Sequence, residues 1–194
     1  GNPERLVFFK GGILDGESRS WYADGAVQST QHFREGKPVG EHLEYYAEAG
    51  QLAKKSQYDE QGRLHGEQLV YFPNGDVQAH ILYRNGQLEG RFFQVLPEGH
   101  QEICIYEKNF KNGPYTLYYP PNGQGVREKA LEGCFCDDQR DGLFIEYNAA
   151  GMKLSDTPYV MGLKEGIARF YSEQGTLLTS VSFHRDLRYG PTIR

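Results

Sequence analysis

Gly66-Glu67-Gln68-Leu69-Val70-Tyr71-Phe72-Pro73-Asn74-Gly75-Asp76-Val77-Gln78-Ala79-His80-Ile81-Leu82-Tyr83-Arg84-Asn85-Gly86 decides the fold of this chain. It holds two runs of alternating apolar and polar residues, each ending in aromatics and each followed by Asn-Gly. Successive residues of a strand point to opposite faces, so such runs read as half-buried strands. Asn-Gly between them is a strong short-range hairpin signal, because both residues accept the positive φ of a type I′ turn. On that reading, turns are expected at Asn74-Gly75, Asn85-Gly86, Asn112-Gly113 and Asn122-Gly123, and at the Asp-Gly pairs Asp15-Gly16, Asp24-Gly25 and Asp141-Gly142.

The same unit recurs in both directions. Glycines at Gly16, Gly40, Gly66, Gly90, Gly113, Gly142, Gly166 and Gly190 are separated by 24, 26, 24, 23, 29, 24 and 24 residues. The fifth residue after each of the first seven is Trp21, Tyr45, Tyr71, Val95, Tyr118, Tyr147 and Tyr171. A period of this length marks one supersecondary unit copied along an axis, and such a unit cannot bury its apolar side alone. The expected architecture is a single all-β repeat domain over 1–194: a lead-in strand over 5–11 and about seven stacked β-hairpins in an elongated, twisted antiparallel meander of roughly 15 strands. No window carries the 3.6-residue period of an amphipathic helix, and 24 glycines are too many for helix interiors, so almost no helix is expected.

Alternation also assigns faces. Leu43 with Tyr45, Leu69 with Tyr71, Phe93 with Val95 and Ile145 with Tyr147 share one side of the first strands, while Tyr22, Tyr46, Phe72, Leu96 and Tyr119 fall on the other. On the second strands Val27 and Phe33 are expected on one side, as are Val77, Ala79, Ile81 and Tyr83, and Leu177, Val181 and Phe183. One continuous apolar stripe and a sparser aromatic row on the opposite side follow. The rhythm breaks twice. Val95-Leu96-Pro97 replaces aromatics in the fourth unit, where Lys111-Asn112 stands for a glycine turn, and the fifth unit is lengthened around Pro120-Pro121 and the cysteine segment. That irregular stretch is the first place to look for a specialised spot.

Composition bounds the chemistry. Hydrophobic residues make up 38% and aromatics 13%, with 14 Tyr and 11 Phe against one Trp, so burial rests on rings that tolerate a half-wet position. A formal charge of -5 and the lack of a basic patch argue against nucleic acid and against anionic lipid as the main ligand. The longest apolar run, Leu6 to Phe9, is far shorter than the roughly 20 residues of a spanning helix. The chain opens Gly1-Asn2-Pro3 without an initiator Met, which leaves room for a removed leader and leaves the cellular compartment open.

Catalytic signatures are missing: the sequence has no G-x-S-x-G elbow, H-E-x-x-H, phosphate-binding loop or G-x-G-x-x-G. Cys104, Cys134 and Cys136 form neither an even disulfide set nor a paired zinc pattern. Cys134-Phe135-Cys136 before Asp137-Asp138 lacks a third soft ligand nearby. His65 with Glu67, and Glu98, His100 and Glu102 alternating on one strand face, imitate metal pairs but read as solvated turn residues. No enzyme activity, cofactor or metal is therefore expected.

The unit G-x-x-x-x-Y-[YF]-x-x-G-x-[LV] resembles the MORN repeat, in particular its bacterial variant. Gly40-Glu-His-Leu-Glu-Tyr45-Tyr46 with Gly50-Gln-Leu52, the stretch from Gly66 to Val77, and Gly166-Ile-Ala-Arg-Phe-Tyr171 with Gly175-Thr-Leu177 carry the likeness, which spans about 16–190. It implies a non-catalytic scaffold for protein-protein interaction, with an antitoxin-like or immunity partner as the narrower role and a membrane-surface scaffold as the alternative. A metal-binding or enzymatic protein using the irregular fourth and fifth units is the remaining, less favoured alternative. Rigid exposed aromatics make efficient interface anchors, so Trp21, Tyr45, Tyr71, Tyr118, Tyr147 and Tyr171 form the candidate interaction surface. A protein partner is expected, and open sheet edges make an edge-to-edge homodimer a second expectation.

Overall fold

A computed structural model describes residues 4–48 and 50–193. The opening Gly1-Asn2-Pro3 and the terminal Arg194 lie outside the described residues. Backbone contacts divide the chain into two compact units, Gly1–Gly90 and Arg91–Arg194. The first unit contains β1 (Arg5–Lys10), β2 (Ile13–Trp21), β3 (Val27–Arg34), β4 (Lys37–Pro38), β5 (Gly40–Tyr45), β6 (Leu52–Tyr58), β7 (Gly66–Tyr71), β8 (Val77–Arg84) and β9 (Gln87–Leu88). The second takes up at β10 (Gly90–Val95) and continues with β11 (Gln101–Glu107), β12 (Phe110–Tyr118), β13 (Lys129–Cys136), β14 (Gln139–Arg140), β15 (Gly142–Tyr147), β16 (Lys153–Val160), β17 (Leu163–Lys164), β18 (Gly166–Tyr171), β19 (Leu177–His184) and β20 (Leu187–Ile193). The described residues contain no helix. Within each unit sequential strands pair antiparallel, as in β2–β3, β5–β6 and β7–β8, or β11–β12, β15–β16 and β18–β19.

Twenty strands are described rather than about fifteen, and four of them, β4, β9, β14 and β17, are two residues long. Each of these short strands pairs just after a two-residue turn and stops before a repeat glycine.

The turns correct the sequence reading. Two consecutive residues with positive φ, as a type I′ turn requires, occur at Gly11-Gly12, Glu35-Gly36, Asn85-Gly86, Lys108-Asn109, Asp137-Asp138, Met161-Gly162 and Arg185-Asp186. Of the expected pairs only Asn85-Gly86 is among them. At Asn74-Gly75 and Asp24-Gly25 the glycine alone is left-handed, and its N–H donates to the carbonyl three residues back, Phe72 at 2.8 Å and Tyr22 at 2.9 Å. These are three-residue loops with a bulge glycine. In the Pro120-Pro121 loop the left-handed residue is Gly125, not Gly123. The loop runs from Tyr119 to Glu128 and absorbs the additional length of the fifth unit. Asp15-Gly16, Asn112-Gly113 and Asp141-Gly142 make no turn at all, since Gly16 and Gly113 lie inside β2 and β12 and Gly142 begins β15. The two aspartates brace the turn of the next unit instead: Asp15 accepts from the Glu35 N–H at 3.1 Å and Asp141 from the Met161 N–H at 3.2 Å.

The repeat glycine is an in-strand feature with a conformational reason, a positive φ at every repeat, to which some positions add a close contact. Gly16 has φ of 114°, and a Cβ there would approach the Phe8 Cβ at 3.2 Å. Across the strand pair six of these glycines face an aromatic: Gly16 opposite Phe33, Gly40 opposite Tyr58, Gly66 opposite Tyr83, Gly113 opposite Phe135, Gly142 opposite Tyr159 and Gly166 opposite Phe183. The face that carries these glycines is called here the glycine face; the opposite one, which carries the fifth-position aromatics, is the tyrosine face.

The glycine face holds the most buried row, two residues after each glycine. It includes Ser18, His42 and Gln68 in the first unit and Phe92, Phe144 and Ala168 in the second. The expected continuous apolar stripe is therefore polar in the first unit. There the His42 ring lies between Phe33 and Tyr58, with centroids at 5.4 and 4.6 Å, and Gln68 donates to Ser56 at 3.0 Å. In the second unit the row is aromatic, running Tyr115–Phe135–Phe144–Tyr159 edge to face at 5.2 to 5.4 Å. The face assignment of Val27 with Phe33 fails for a local reason. Ser20 pairs with Ser29 but Trp21 pairs with Val27, so Gln28 is a bulge residue and Val27 lies on the tyrosine face. The same shift separates Val77 from Ala79 and Leu177 from Val181.

Candidate interaction surface

The six expected aromatics occupy one structural position, the last residue of a first strand beside a bulge. In the first unit Trp21 pairs with Val27, Tyr45 with Leu52 and Tyr71 with Val77. In the second, Tyr118 pairs with Lys129, Tyr147 with Lys153 and Tyr171 with Leu177. All six are half-buried. Within each unit they form a row on the tyrosine face, paired with aliphatic residues in the first unit and with Lys129, Lys153 and Leu177 in the second.

Two of them are tied to carboxylates by a repeated device. Lys129 and the Tyr147 hydroxyl both donate to Glu132. Twenty-four residues on, Lys153 at 3.0 Å, the Tyr171 hydroxyl at 2.8 Å and Arg169 at 3.3 Å donate to Asp156, which is only 4% exposed. Burial pushes the Asp156 pKa up, but the hydrogen bonds from Tyr171, Lys153 and Arg169 outweigh it and hold the carboxyl below its ordinary value. The Lys129 and Tyr147 bonds hold Glu132 down likewise. Burial, reinforced by the bond to Glu132, pushes the Tyr147 hydroxyl up to about 12. These tyrosines present ring edges and faces, with their polar tips already engaged.

The second-strand aromatics and the sixth-position tyrosines stitch neighbouring hairpins. Tyr22 and Tyr46 donate to the carbonyls of Tyr45 and Tyr71 at 2.6 Å, and Tyr119 donates to Tyr147 at 2.8 Å. Each hydroxyl thereby satisfies a carbonyl one repeat ahead.

An apolar block on the tyrosine face was not singled out from the sequence. Leu143 and Ile167, each the residue after a repeat glycine, are 49% and 48% exposed. Leu143 pairs with Pro158, and Val160, 54% exposed, pairs with Leu163, 41% exposed. Strand alternation puts these five side chains on one face across β15 to β18. The corresponding positions in the first unit hold Glu17, Glu41 and Glu67. Comparison of that single repeat position, charged early and aliphatic late, is the signal that could have found the block.

The irregular stretch is tightly organised. Arg127 donates to the carbonyls of Gly99 at 2.6 Å and Tyr119 at 3.1 Å, fixing the base of the long loop. In β11 Glu102, 8% exposed, accepts from Lys111 at 2.5 Å and Gln94 at 2.8 Å. Cys104 is 2% exposed, and burial pushes its thiol up to about 11, so it packs as an inert small side chain. Glu98 and His100 sit in the loop before β11, not on a strand face with Glu102. Cys134 is exposed and Cys136 half-buried, both as free thiols. Among the described residues no group of three or more His, Cys, Asp or Glu is arranged to hold a metal ion, and no helix is long and apolar enough to cross a membrane.

Comparison with curated proteins gave no match. The family model described as the MORN repeat variant matches residues 14–35 and 64–85. Both segments lie in the first unit, and each begins just ahead of a repeat glycine and ends at or beside a two-residue turn with positive φ. The chain thus carries repeats of the MORN variant at these two segments, and its other hairpins are built on the same plan.

Proposed function

We propose that this chain is a non-catalytic interaction module that binds a protein partner through the tyrosine face of its second unit. Repeats of this family occur in proteins that bind other proteins or associate with membranes. The observation that carries the reading is the block of Leu143, Ile167, Val160 and Leu163, 41% to 54% exposed, with Leu143 and Ile167 at the position where the first unit carries Glu17, Glu41 and Glu67. Contiguous exposed apolar side chains rimmed by polar ones mark association sites. Tyr147 and Tyr171 lie beside the block with hydroxyls engaged, so they would enter an interface with little entropy left to lose.

The test is co-purification from the source cells, identification of the retained protein, and reconstitution with that protein purified. Leu143→Asp and Ile167→Asp each weaken binding at least tenfold while far-UV circular dichroism is unchanged. Equal binding by both variants overturns the assignment of this face. An antitoxin-like or immunity role is the narrower form of the same proposal: co-expression would rescue cells from the product of a neighbouring toxin gene, and failure to rescue removes that form. Pelleting with anionic liposomes would favour the membrane-surface alternative, and a concentration-dependent dimer by light scattering would support edge pairing.

A further inference from the structure

On the glycine face of the first unit, two adjoining depressions of about 440 and 480 Å³ share Ser20, Gln28, Ser29 and Gln31 as walls. Together they form a groove across the ends of β2, β3 and β5. Its volume lies in the range of small-ligand sites. Its origin is a pair of bulges, one in β3 and one in β6. The first makes Gln28 an extra residue and re-aims its side chain. The second, between Glu44–Lys54 and Tyr45–Leu52, puts only Ala53 at the equivalent place and leaves the groove open.

The lining combines uncharged hydrogen-bonding groups with aromatic rings. Ser20 and Ser29 share a hydrogen bond at 2.7 Å, each keeping further capacity. The carboxamides of Gln28 and Gln31 have no hydrogen-bond partner among the described residues, whereas Gln57 and Gln68 of the same unit are both paired. Tyr22 and Tyr46 line the second depression with their hydroxyls held at 2.6 Å on backbone carbonyls. Their rings are therefore fixed and their polar tips spent, so they offer ring surface rather than hydrogen bonds. Charge is balanced: Glu4 and Arg5 lie at one end, and Glu44 has Lys54 at 3.7 Å at the other. Side-by-side amides and hydroxyls that both donate and accept, beside immobilised aromatic rings and without net charge, match a ligand with a ring of hydroxyls and an apolar C–H face.

We infer that this groove is a binding site for a neutral saccharide. The hydroxyls of a pyranose pair with Gln28, Gln31 and the two serines, and its C–H face rests on Tyr22 or Tyr46. The site is separate from the apolar block of the second unit, so the two proposals stand or fall independently.

The test titrates the isotope-labelled full chain, followed by amide NMR, with maltotetraose, cellotetraose, xylotetraose and tetra-N-acetylchitotetraose up to ~10 mM. The expected result is saturable shifts in the Gln28 and Gln31 side-chain amides with at least one of the four, with a Kd on the order of 0.1–1 mM. Gln31→Ala weakens that binding at least fivefold, and Tyr22→Leu does the same. Gln87→Ala, at the exposed start of β9, leaves it unchanged. Tyr22→Phe keeps the ring and guards against a folding defect in the leucine variant: it retains binding to within about twofold. No saturable shift with any of the four sugars overturns the inference, as do shifts of equal size in the Gln31→Ala and wild-type proteins.

Discussion

Gly133→Ala is predicted to destabilise the second unit through a single ring. Gly133 lies in β13 opposite Tyr115, and its φ is outside the left-handed region, so the backbone would accept alanine. In an open site that change would stabilise the protein by roughly 0.4–1 kcal/mol through the unfolded chain. Here the added Cβ would stand 2.6 Å from Phe144 Cδ1 and 2.7 Å from Cε1 and Cγ. Ordinary contact begins at 3.4 Å, so the ring must retreat by about 0.8 Å, the difference 3.4 − 2.6. It has nowhere to go. Phe144 is 2% exposed, stands edge to face with Phe135 and Tyr159 at 5.4 Å, and carries the Arg140 guanidinium 4.8 Å above its face. Overpacking of this kind costs about 1–3 kcal/mol, approaching the ~3–5 kcal/mol of losing the phenylalanine if the ring is expelled. Thermal unfolding would fall by roughly 2–12 °C for a chain of this size. Urea unfolding, with hydrogen exchange reporting on β12, β13 and β15, is the assay. Phe144→Leu destabilises alone but is partly rescuing when combined with Gly133→Ala, because the smaller side chain vacates the clash. A Gly133→Ala protein as stable as the parent, or strictly additive effects in the double variant, would refute the reasoning.

Asp156→Ala strands Tyr171, Lys153 and Arg169 without their shared acceptor and costs about 1–3 kcal/mol, the two cations being partly solvated; chemical denaturation measures it, and a cost under ~0.5 kcal/mol contradicts the network. Because the folded-state pKa values of Asp156 and Glu132 are held below their ordinary values of 3.8 and 4.5, their stabilisation is fully present above those values and is lost as pH falls from them through the lower folded ones. Acid titration of Asp156→Asn would show a shallower loss. His42 acts at higher pH: burial between Phe33 and Tyr58 lowers its pKa from 6.5, so the unfolded chain takes up the proton first and stability declines as pH drops below about 7. His42→Gln removes that decline, and a parent protein equally stable at pH 5.5 and 7.5 would contradict it. Asn85→Val places a β-branched residue at φ 52° in the turn between β8 and β9 and costs about 1–2 kcal/mol, read as a lowered urea midpoint.

The sequence alone determined the hairpin plan. Alternation and spacing are local properties, so the period of the repeat glycines, the strand content and the lack of helix could be read from residues such as those between Gly66 and Gly86. The family resemblance rests on the same residues. Asn85-Gly86 was legible as a turn because both residues tolerate positive φ. Lys108-Asn109 and Asp137-Asp138 were not, because their turns are imposed by the pairing of the flanking strands.

Tertiary structure decided what each glycine and each face is for. The repeat glycines hold a left-handed φ inside or at the start of strands, from 69° at Gly40 to 114° at Gly16, a backbone that side-chain-bearing residues rarely adopt and that the strand pairing imposes. A single bulge residue, Gln28, reverses the face of Val27, since a one-residue slip in a period of two moves a side chain to the other side. The same slip opens the polar groove of the first unit. The exposed block of Leu143, Ile167, Val160 and Leu163 becomes one patch only through the pairing of β15, β16, β17 and β18. Sequence fixes which side chains alternate; register decides which of them meet.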